Sequence, residues 1–162
     1  MTGRKLLMTF PVTDTSHLLA DYRGRGGYAT LEKVLREMRP EEVTKEVATS
    51  GILGHGGAAF PAGRKWGVIK LNDEQPHYLC ANADEGEPGT FKDRWILENA
   101  PHLLLESMLI AAYALQVRNA FVYIRGEFDL PYRRLAAAVE EAYQAGWFGE
   151  RIAGTDFGCD IV

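Results

Sequence analysis

The order of apolar segments along the chain constrains its fold more than any other feature of the sequence. Two compact apolar runs, residues 77–81 and 120–124, are typical of strands, and we expect the first to be buried. Between them, residues 102–115 are apolar almost all round, which is typical of a buried helix. A second helix is expected over residues 132–145, and a third strand over residues 159–162. Strands that alternate with helices at this spacing predict an α/β fold with a mainly parallel sheet.

The N-terminal part of the chain is expected to be an irregular arm followed by two short helices. Residues 1–27 are rich in turns, and we expect no regular structure there. Apolar residues then recur at helical spacing over residues 28–38. Pro40 opens a second helix at its first turn, and Gly51 ends it. We therefore divide the chain into an arm, residues 1–27, and a domain, residues 28–162.

A glycine-rich loop over residues 50–66, the glycine loop, follows these helices. Its five glycines lose more conformational entropy on folding than other residues would, so their presence in one loop requires an explanation. One reason is a backbone with positive φ, and another is a flat ligand that lies against bare main chain. The exposed N–H groups of such a loop suit phosphate or another anion, and Lys65 could add a cation. A flexible surface loop is the alternative, although Phe60, Pro61 and Trp66 are stiffer than a spacer requires. Beyond the loop we expect a short helix at residues 67–71 and a polar turn at residues 72–76.

An acidic loop over residues 82–90 follows the first strand, at the end where open α/β sheets bind ligands. Its carboxylates are Asp84, Glu85 and Glu87. An ordinary surface loop tolerates them if water screens their charges. They could also bind Ca²⁺ or Mg²⁺, although their spacing does not match a known loop. In a dinucleotide or flavin site they would accept hydrogen bonds from ribose hydroxyls or flavin N–H groups, while Asn82 would both donate and accept. In a partly buried cleft we expect some of the carboxyl pKa values to be raised.

Composition and charge exclude several functional classes. The chain has 162 residues, a net charge of −4 and no basic run, so we expect no nucleic-acid partner. No apolar stretch is long enough for a membrane-spanning helix, so we expect no direct membrane insertion. Cys80 and Cys159 form no metal-binding or disulfide motif, which favours a reducing, cytoplasmic compartment. The histidines are scattered, so we expect no metal site.

Two stretches of the sequence closely resemble one family. The glycine loop, with Gly54, Gly56, Gly57 and Lys65, resembles the N-terminal glycine loop of the NADH-oxidising, FMN-carrying flavoprotein subunit of respiratory complex I. Residues 82–94, Asn-Ala-Asp-Glu-Gly-Glu-Pro-Gly-Thr-Phe-Lys-Asp-Arg, match that family's second signature. The resemblance covers about residue 25 to the end, with shorter matches at residues 101–104, 110–114, 123–127 and 154–157. The same module occurs in NAD-reducing hydrogenases and formate dehydrogenases.

The resemblance implies that residues 28–162 are the N-terminal half of an FMN/NADH-binding, Rossmann-like, three-layer domain, truncated relative to the family. In the family, NADH stacks on FMN and gives it a hydride, and electrons then leave singly through iron–sulfur clusters. Because the chemistry takes place on FMN, no catalytic side chain is expected. The implied cofactors are FMN and NADH, with an iron–sulfur cluster only in a missing C-terminal part or a partner. The chain would act as part of an NADH dehydrogenase complex, and the fragment alone is expected to be inactive.

The family's cofactor-binding residues carry over to this chain by position. The residues that would line FMN are Gly54, Gly56, Lys65, Asn82, Asp84 and Glu85. Those that would face NADH are Gly57, Phe60 and Glu87, with Phe60 stacking on the adenine side. The predicted set also includes His55, Ala58 and Ala59.

Four positions depart from the family, and all lie on the dinucleotide side. The family usually has arginine where this chain has Leu53 and His55, glycine in place of Ala59 and an aromatic residue in place of Val68. Replacing arginine by leucine removes a permanent charge and five donors. Alanine at a glycine position costs little at negative φ and more at positive φ.

Two functions are compatible with this pattern. In the first, the chain is part of the module that accepts a hydride from NADH onto FMN, and it works with other subunits of a complex I-like or NAD-linked redox complex, peripheral to the membrane. In the second, it is a truncated non-catalytic paralogue that keeps the fold as an assembly or interaction subunit. A sheet ending at Val162 would leave an open edge, so we expect self-association or a partner chain there.

Overall fold

A sheet of three parallel strands forms the centre of the computed structural model, which describes residues 7–71 and 75–162. The strands are β1 (Tyr78–Ala83), β2 (Asn119–Ile124) and β3 (Asp160–Ile161), in the spatial order β1-β2-β3. Ala83 pairs with Ile124, so β1 and β2 end at the same side of the sheet. The predicted α/β fold with a parallel sheet is confirmed.

Proline and glycine mark three of the helix ends. In the described ranges they are α1 (Leu19–Gly24), α2 (Ala29–Glu37), α3 (Pro40–Ser50), α4 (Ala62–Trp66), α5 (Lys92–Asn99), α6 (Pro101–Ala114) and α7 (Asp129–Gln144). Pro40 and Pro101 are the first residues of α3 and α6, where a helix does not need the missing N–H. Gly51 ends α3 in the left-handed region at φ 68°, as glycine commonly does. None of the helices in the described ranges has the length and apolarity that crossing a bilayer requires.

The short helix predicted at residues 67–71 lies earlier in the chain. It is α4, which starts directly after Pro61 and is followed by Gly67. Pro61 has φ −60°, the value that its ring favours, and this conformation leads the chain into the helical turn. Residues 72–74 of the predicted polar turn and residues 1–6 of the predicted arm lie outside the described residues.

Helices cover one face of the sheet. Helix α6 packs against β1 and β2, with α7 beside it, and the side chains of Ala83 and Ala120 on this face are buried. On the opposite face Tyr78, Phe121 and Tyr123 are exposed. The expectation of a buried first strand is therefore wrong, because alternate side chains of β1 point to a face on which they are exposed. The second helical layer of a three-layer domain is not among the described residues.

The segment predicted to be irregular contains α1 and is fixed to the core. The buried carboxylate of Glu106, on α6, accepts hydrogen bonds from the N–H of Tyr28 at 2.8 Å and of Leu31 at 3.0 Å. It also accepts one from the hydroxyl of Tyr22, which lies in α1 and is buried. A side chain of α6 therefore satisfies the N–H groups at the start of α2. These partners are distant in sequence, so the prediction of an irregular arm is wrong for α1, while the division into arm and domain stays a prediction.

A second carboxylate caps α1 from α7. Glu141 accepts a hydrogen bond from the N–H of Leu19, the first residue of α1, at 2.8 Å. The Nε2 atom of His102 lies 3.0 Å from the same carboxylate, and its Nδ1 atom lies 3.1 Å from the hydroxyl of Tyr28. Burial lowers the pKa of His102, although the hydrogen bond to Glu141 opposes this effect. The imidazole therefore links α6 to α2 and α7.

The outer edge of β3 is bonded within the chain. The N–H of Ile161 donates to the hydroxyl of Tyr143 at 3.1 Å. Next to it, Cys159 and Gly149 exchange two backbone hydrogen bonds of 2.9 Å. Self-association at this edge stays a prediction, and it would have to replace bonds that these residues already make.

Candidate functional site

The glycine loop and the acidic loop line one cleft of about 830 Å³. Residues 55–57 contribute from the glycine loop, and residues 82–87 contribute from the segment at the carboxyl end of β1, apart from Ala83. The volume lies in the range of small-molecule and cofactor sites, and the position is the one at which open α/β sheets bind ligands. The structure therefore brings together two loops that are separated in the sequence by residues 67–81, which include most of β1.

The predicted cofactor-binding residues divide into two groups. Those that line the cleft are His55, Gly56, Gly57, Asn82, Asp84, Glu85 and Glu87. Those that do not line it are Gly54, Ala58, Ala59, Phe60 and Lys65. Four lining residues were not predicted, namely Gly86, Thr90, Lys92 and Asp93. All four lie inside the 82–94 signature, so treating the whole signature as a site would have found them.

The glycine loop is closed at its base by backbone hydrogen bonds. The N–H of Gly54 donates to the carbonyl of Phe60 at 2.8 Å, and the N–H of Ala62 donates to the carbonyl of Ile52 at 2.9 Å. Helices α3 and α4 continue from the two sides of this base and pack on each other. The loop is therefore carried by a helix pair, and its tip reaches the cleft.

Gly56 and Gly57 present bare main chain to the cleft. A Cβ atom built on either residue would meet no other group within 4 Å. Gly57 has φ 98°, where glycine is strongly favoured, whereas Gly56 is outside the left-handed region. Glycine at position 56 is therefore required neither by packing nor by a left-handed backbone, and the open space beside it leaves room for a ligand to approach the main chain.

The carboxylate of Glu85 is bonded within the protein and is not free in the cleft. Its side chain is 3% exposed, and its oxygens accept hydrogen bonds from the N–H groups of Asp93 at 3.0 Å and Arg94 at 3.1 Å, in the first turn of α5. Burial alone would raise the pKa of Glu85. The two hydrogen bonds and the charge of Lys92 together lower it by more than burial raises it, so the net shift of the pKa is downward. The expected rise is therefore wrong for Glu85. The ionised carboxylate of Glu85 therefore stabilises the fold fully at pH values above the pKa that it has in the unfolded chain. This stabilisation is lost as the pH falls through the lower pKa that it has in the folded protein.

The other polar residues of the acidic loop remain accessible to a ligand. The Oδ1 atom of Asn82 accepts a hydrogen bond from the N–H of Asp84 at 3.0 Å, which leaves the two amide donors of Asn82. The carbonyl of Glu87 accepts hydrogen bonds from the N–H and the hydroxyl of Thr90, which closes a turn. Asp84 and Glu87 are exposed, so their carboxylates can accept hydrogen bonds from a ligand.

Lys92 and His55 add donors to this acidic lining. The Nζ atom of Lys92 lies 2.6 Å from the carboxylate of Asp93 and 4.0 Å from that of Glu85. The Nδ1 atom of His55 lies 3.0 Å from the carbonyl of Leu53, so Nδ1 carries a proton in this contact. Among the described residues, no group of three or more histidine, cysteine, aspartate or glutamate side chains is arranged to hold a metal ion.

Ala59 occupies a conformation that suits glycine, and its replacement is expected to stabilise the protein. Its φ is 48°, in the left-handed region, which costs an L-residue about 1–2 kcal/mol. Because glycine loses about 0.5–1 kcal/mol more entropy on folding, we expect Ala59→Gly to raise the free energy of unfolding by about 0.5–1 kcal/mol in urea titrations. Ala58 is the matched control, since it lies outside the left-handed region. Ala58→Gly should lower stability by about 0.5–1 kcal/mol, and equal losses at both positions would refute the assignment of strain to Ala59.

Comparison with known proteins places both cleft loops inside one family. The family model Complex1_51K, described as the Nuo51 FMN-binding domain, matches residues 47–160. This range contains the glycine loop from its first residues and the whole acidic loop.

Curated relatives and solved structures agree with this match. An NADH-quinone oxidoreductase subunit of Rhizobium meliloti (strain 1021) is 47% identical over 152 residues, an alignment that covers 94% of this chain and 36% of the relative. The corresponding NADH-quinone oxidoreductase subunit of Escherichia coli (strain K12) is 40% identical over 144 residues, covering 88% and 32% respectively. The crystal structure of an NAD⁺-reducing NiFe hydrogenase in the H₂-reduced state has a TM-score of 0.67 at 34% identity, covering 81% of this chain and 23% of the hydrogenase chain. The chain spans about a third of the length of the curated relatives it matches.

Proposed function

Because the chain belongs to the Complex1_51K family, that of the Nuo51 FMN-binding domain, we propose that it forms one wall of the flavin site in a module that accepts a hydride from NADH. The proposal rests on the cleft in which bare main chain at Gly56 and Gly57 lies with the acidic loop at the end of β1. Relatives named as NADH-quinone oxidoreductase subunits support NADH as the electron donor.

The cleft residues fit FMN in shape and polarity. A flat ring can approach Gly56 closely because no side chain stands there. Asn82 has free amide donors, and the exposed carboxylates of Asp84 and Glu87 can accept hydrogen bonds from ring N–H groups or ribityl hydroxyls. Lys92 supplies a cation in the same cleft lining, 4.0 Å from the carboxylate of Glu85. FMN, when bound, supplies the hydride acceptor, and the protein residues bind and orient it and set the charge around it.

We assign a more peripheral role to the predicted residues outside the lining. Phe60 is exposed, and the guanidinium of Arg64 lies 5.8 Å from the centre of its ring. An exposed ring beside the glycine loop suits stacking with the adenine of NADH. Lys65, in α4, would act on a bound anion only at longer range, since it does not line the cleft.

The proposal extends to partners and location. We propose that the module works with other subunits of a complex I-like or NAD-linked redox complex, and that an iron–sulfur cluster in another part of the protein or in a partner receives the electrons. The names of the relatives and of the hydrogenase support such an assembly. A cytoplasmic position, peripheral to the membrane, fits this assembly. No observation on the described residues favours the alternative of a non-catalytic paralogue.

A single methyl group tests the position of the flavin. We expect Gly56→Ala to weaken FMN binding at least tenfold, because the added methyl occupies the face on which the ring would lie. The free energy of unfolding should change by less than about 1 kcal/mol, since the methyl meets no protein atom within 4 Å. The dissociation constant is measured by quenching of flavin fluorescence as the chain is titrated into FMN.

Gly24→Ala is the matched control for this experiment. Gly24 also has open space around it and lies outside the cleft, so FMN binding should not change. Unchanged binding in Gly56→Ala would contradict the assigned position. Failure of the unaltered chain to gain thermal stability in excess FMN would contradict flavin binding by this chain, because a ligand at a hundredfold excess over Kd adds about 2.7 kcal/mol.

A further inference from the structure

Arg125, which lies outside the cleft, is bonded to the acidic loop. It follows β2 directly, and its Nη1 atom donates a hydrogen bond to the backbone carbonyl of Glu85 at 2.8 Å. The register of the sheet pairs Ala83 with Ile124, so Arg125 and Asp84 both follow directly at the carboxyl ends of neighbouring strands. The hydrogen bond therefore ties the loop after β1 to the end of β2.

The side chain of Arg125 is itself oriented by its neighbours. Its Nε and Nη2 atoms donate to the two carboxylate oxygens of Glu127 at 3.2 Å and 3.4 Å. The guanidinium also lies 5.6 Å from the centre of the Phe128 ring. A planar guanidinium that is held on two of its nitrogens presents the third in a defined direction. Nη1 is thereby directed at the Glu85 carbonyl.

Glu85 is consequently held at two points by two different elements. Its carboxylate caps α5, and its carbonyl is bonded to Arg125. Its neighbours Asp84 and Gly86 line the cleft, so the placement of Glu85 determines where this wall stands. The positive charge of Arg125 also interacts with the charge of Asp84, which it partly offsets.

We propose that Arg125 is a positioning residue for the cofactor cleft, which sets the place of the acidic loop through the Glu85 carbonyl. The identity of the ligand rests on the proposed function, whereas the anchoring of the loop does not need a ligand. Arg125 acts through Glu85, since it is not among the lining residues of the cleft.

Hydrogen exchange of the full chain without FMN tests the anchor. In Arg125→Met we expect amide exchange over residues 84–90 to become about tenfold faster, while exchange in β2 and α6 is unchanged. Arg125→Lys keeps the charge but loses the planar fork, so we expect an intermediate increase. Arg118→Met is the matched control, because Arg118 precedes β2 at its opposite end and donates to the carbonyl of Gly158 at 3.1 Å. It should leave exchange over residues 84–90 unchanged.

Flavin titration of the same variants tests the consequence for binding. We expect Arg125→Met to weaken FMN binding about tenfold, Arg125→Lys to recover part of this loss, and Arg118→Met to have no effect. Unchanged exchange over residues 84–90 in Arg125→Met overturns the proposal whatever happens to FMN. Faster exchange with unchanged FMN affinity also overturns it, since the loop would then be mobile without consequence for the cleft. If neither the unaltered chain nor any variant binds FMN, the proposed function fails. The rate of amide hydrogen exchange over residues 84–90 then decides by itself whether Arg125 anchors the loop.

Discussion

Replacing Glu106 by leucine is expected to lower the free energy of unfolding by about 4 kcal/mol, a large share of the 5–15 kcal/mol typical of a folded domain. The hydroxyl of Tyr22 and the N–H groups of Tyr28 and Leu31 would lose their acceptor. Each buried donor without a partner costs about 1–3 kcal/mol. Glu106 is 6% exposed, so water cannot readily replace the carboxylate. Urea unfolding followed by tryptophan fluorescence measures the loss.

Two further variants make this result specific. Glu106→Gln keeps one carbonyl oxygen but turns amide donors toward other donors, so we expect a smaller loss of about 2 kcal/mol. Glu140→Leu is the control, because Glu140 is exposed on α7 and accepts a hydrogen bond from Gln144 at 3.2 Å. Its effect should stay within about 0.5 kcal/mol. Similar losses at positions 106 and 140 would show that Glu106 does not cap α2 in solution.

Replacing Gly63 by alanine is expected to cost about 3 kcal/mol, at the upper end of the usual range for overpacking. A Cβ atom at this position would lie 2.3 Å from the Cα and 2.5 Å from the nitrogen of Ala48. These are backbone atoms, so α3 and α4 would have to move apart. Because residues 51–61 of the glycine loop connect these helices, we also expect weaker FMN binding in Gly63→Ala. Thermal unfolding followed by circular dichroism, together with flavin titration, measures both effects.

A double variant tests whether the close contact at Gly63 is made by backbone atoms of residue 48. Adding Ala48→Gly to Gly63→Ala removes only the Cβ of residue 48, which would lie 2.6 Å away, and leaves the two closer backbone atoms in place. The double variant should therefore remain destabilised. Gly24→Ala, which adds a methyl in open space, should change stability by less than about 1 kcal/mol. Full rescue by Ala48→Gly would mean that the two helix backbones are not in close contact.

The elements of this fold could be predicted because their signals are local. Pro40 and Gly51 mark the two ends of α3 in the sequence, and the alternation of apolar runs identifies β1 and β2. The position of the acidic loop followed from the same reasoning, since loops at the carboxyl ends of parallel strands form ligand sites. These signals need no knowledge of distant contacts.

The parts that could not be predicted depend on residues that are distant in sequence. Glu106 only interrupts an apolar run in the sequence, and nothing near it shows that it caps α2. In the sequence Glu85 is indistinguishable from Asp84 and Glu87, and only the structure shows that its carboxylate caps the first turn of α5. Lys65 lies near the end of the glycine loop, but α4 begins before it and places it outside the cleft lining.

The hydroxyl of Tyr143 protects the edge of β3 against the addition of strands from neighbouring molecules. Unpaired strand edges are the templates on which neighbouring molecules add strands, which is the route to cross-β aggregates. At this edge the N–H of Ile161 is already engaged by Tyr143, and Cys159 is engaged by Gly149. An intruding strand must first break these bonds, so templated growth from β3 begins with a loss of hydrogen bonding, which disfavours the first step of fibril formation there.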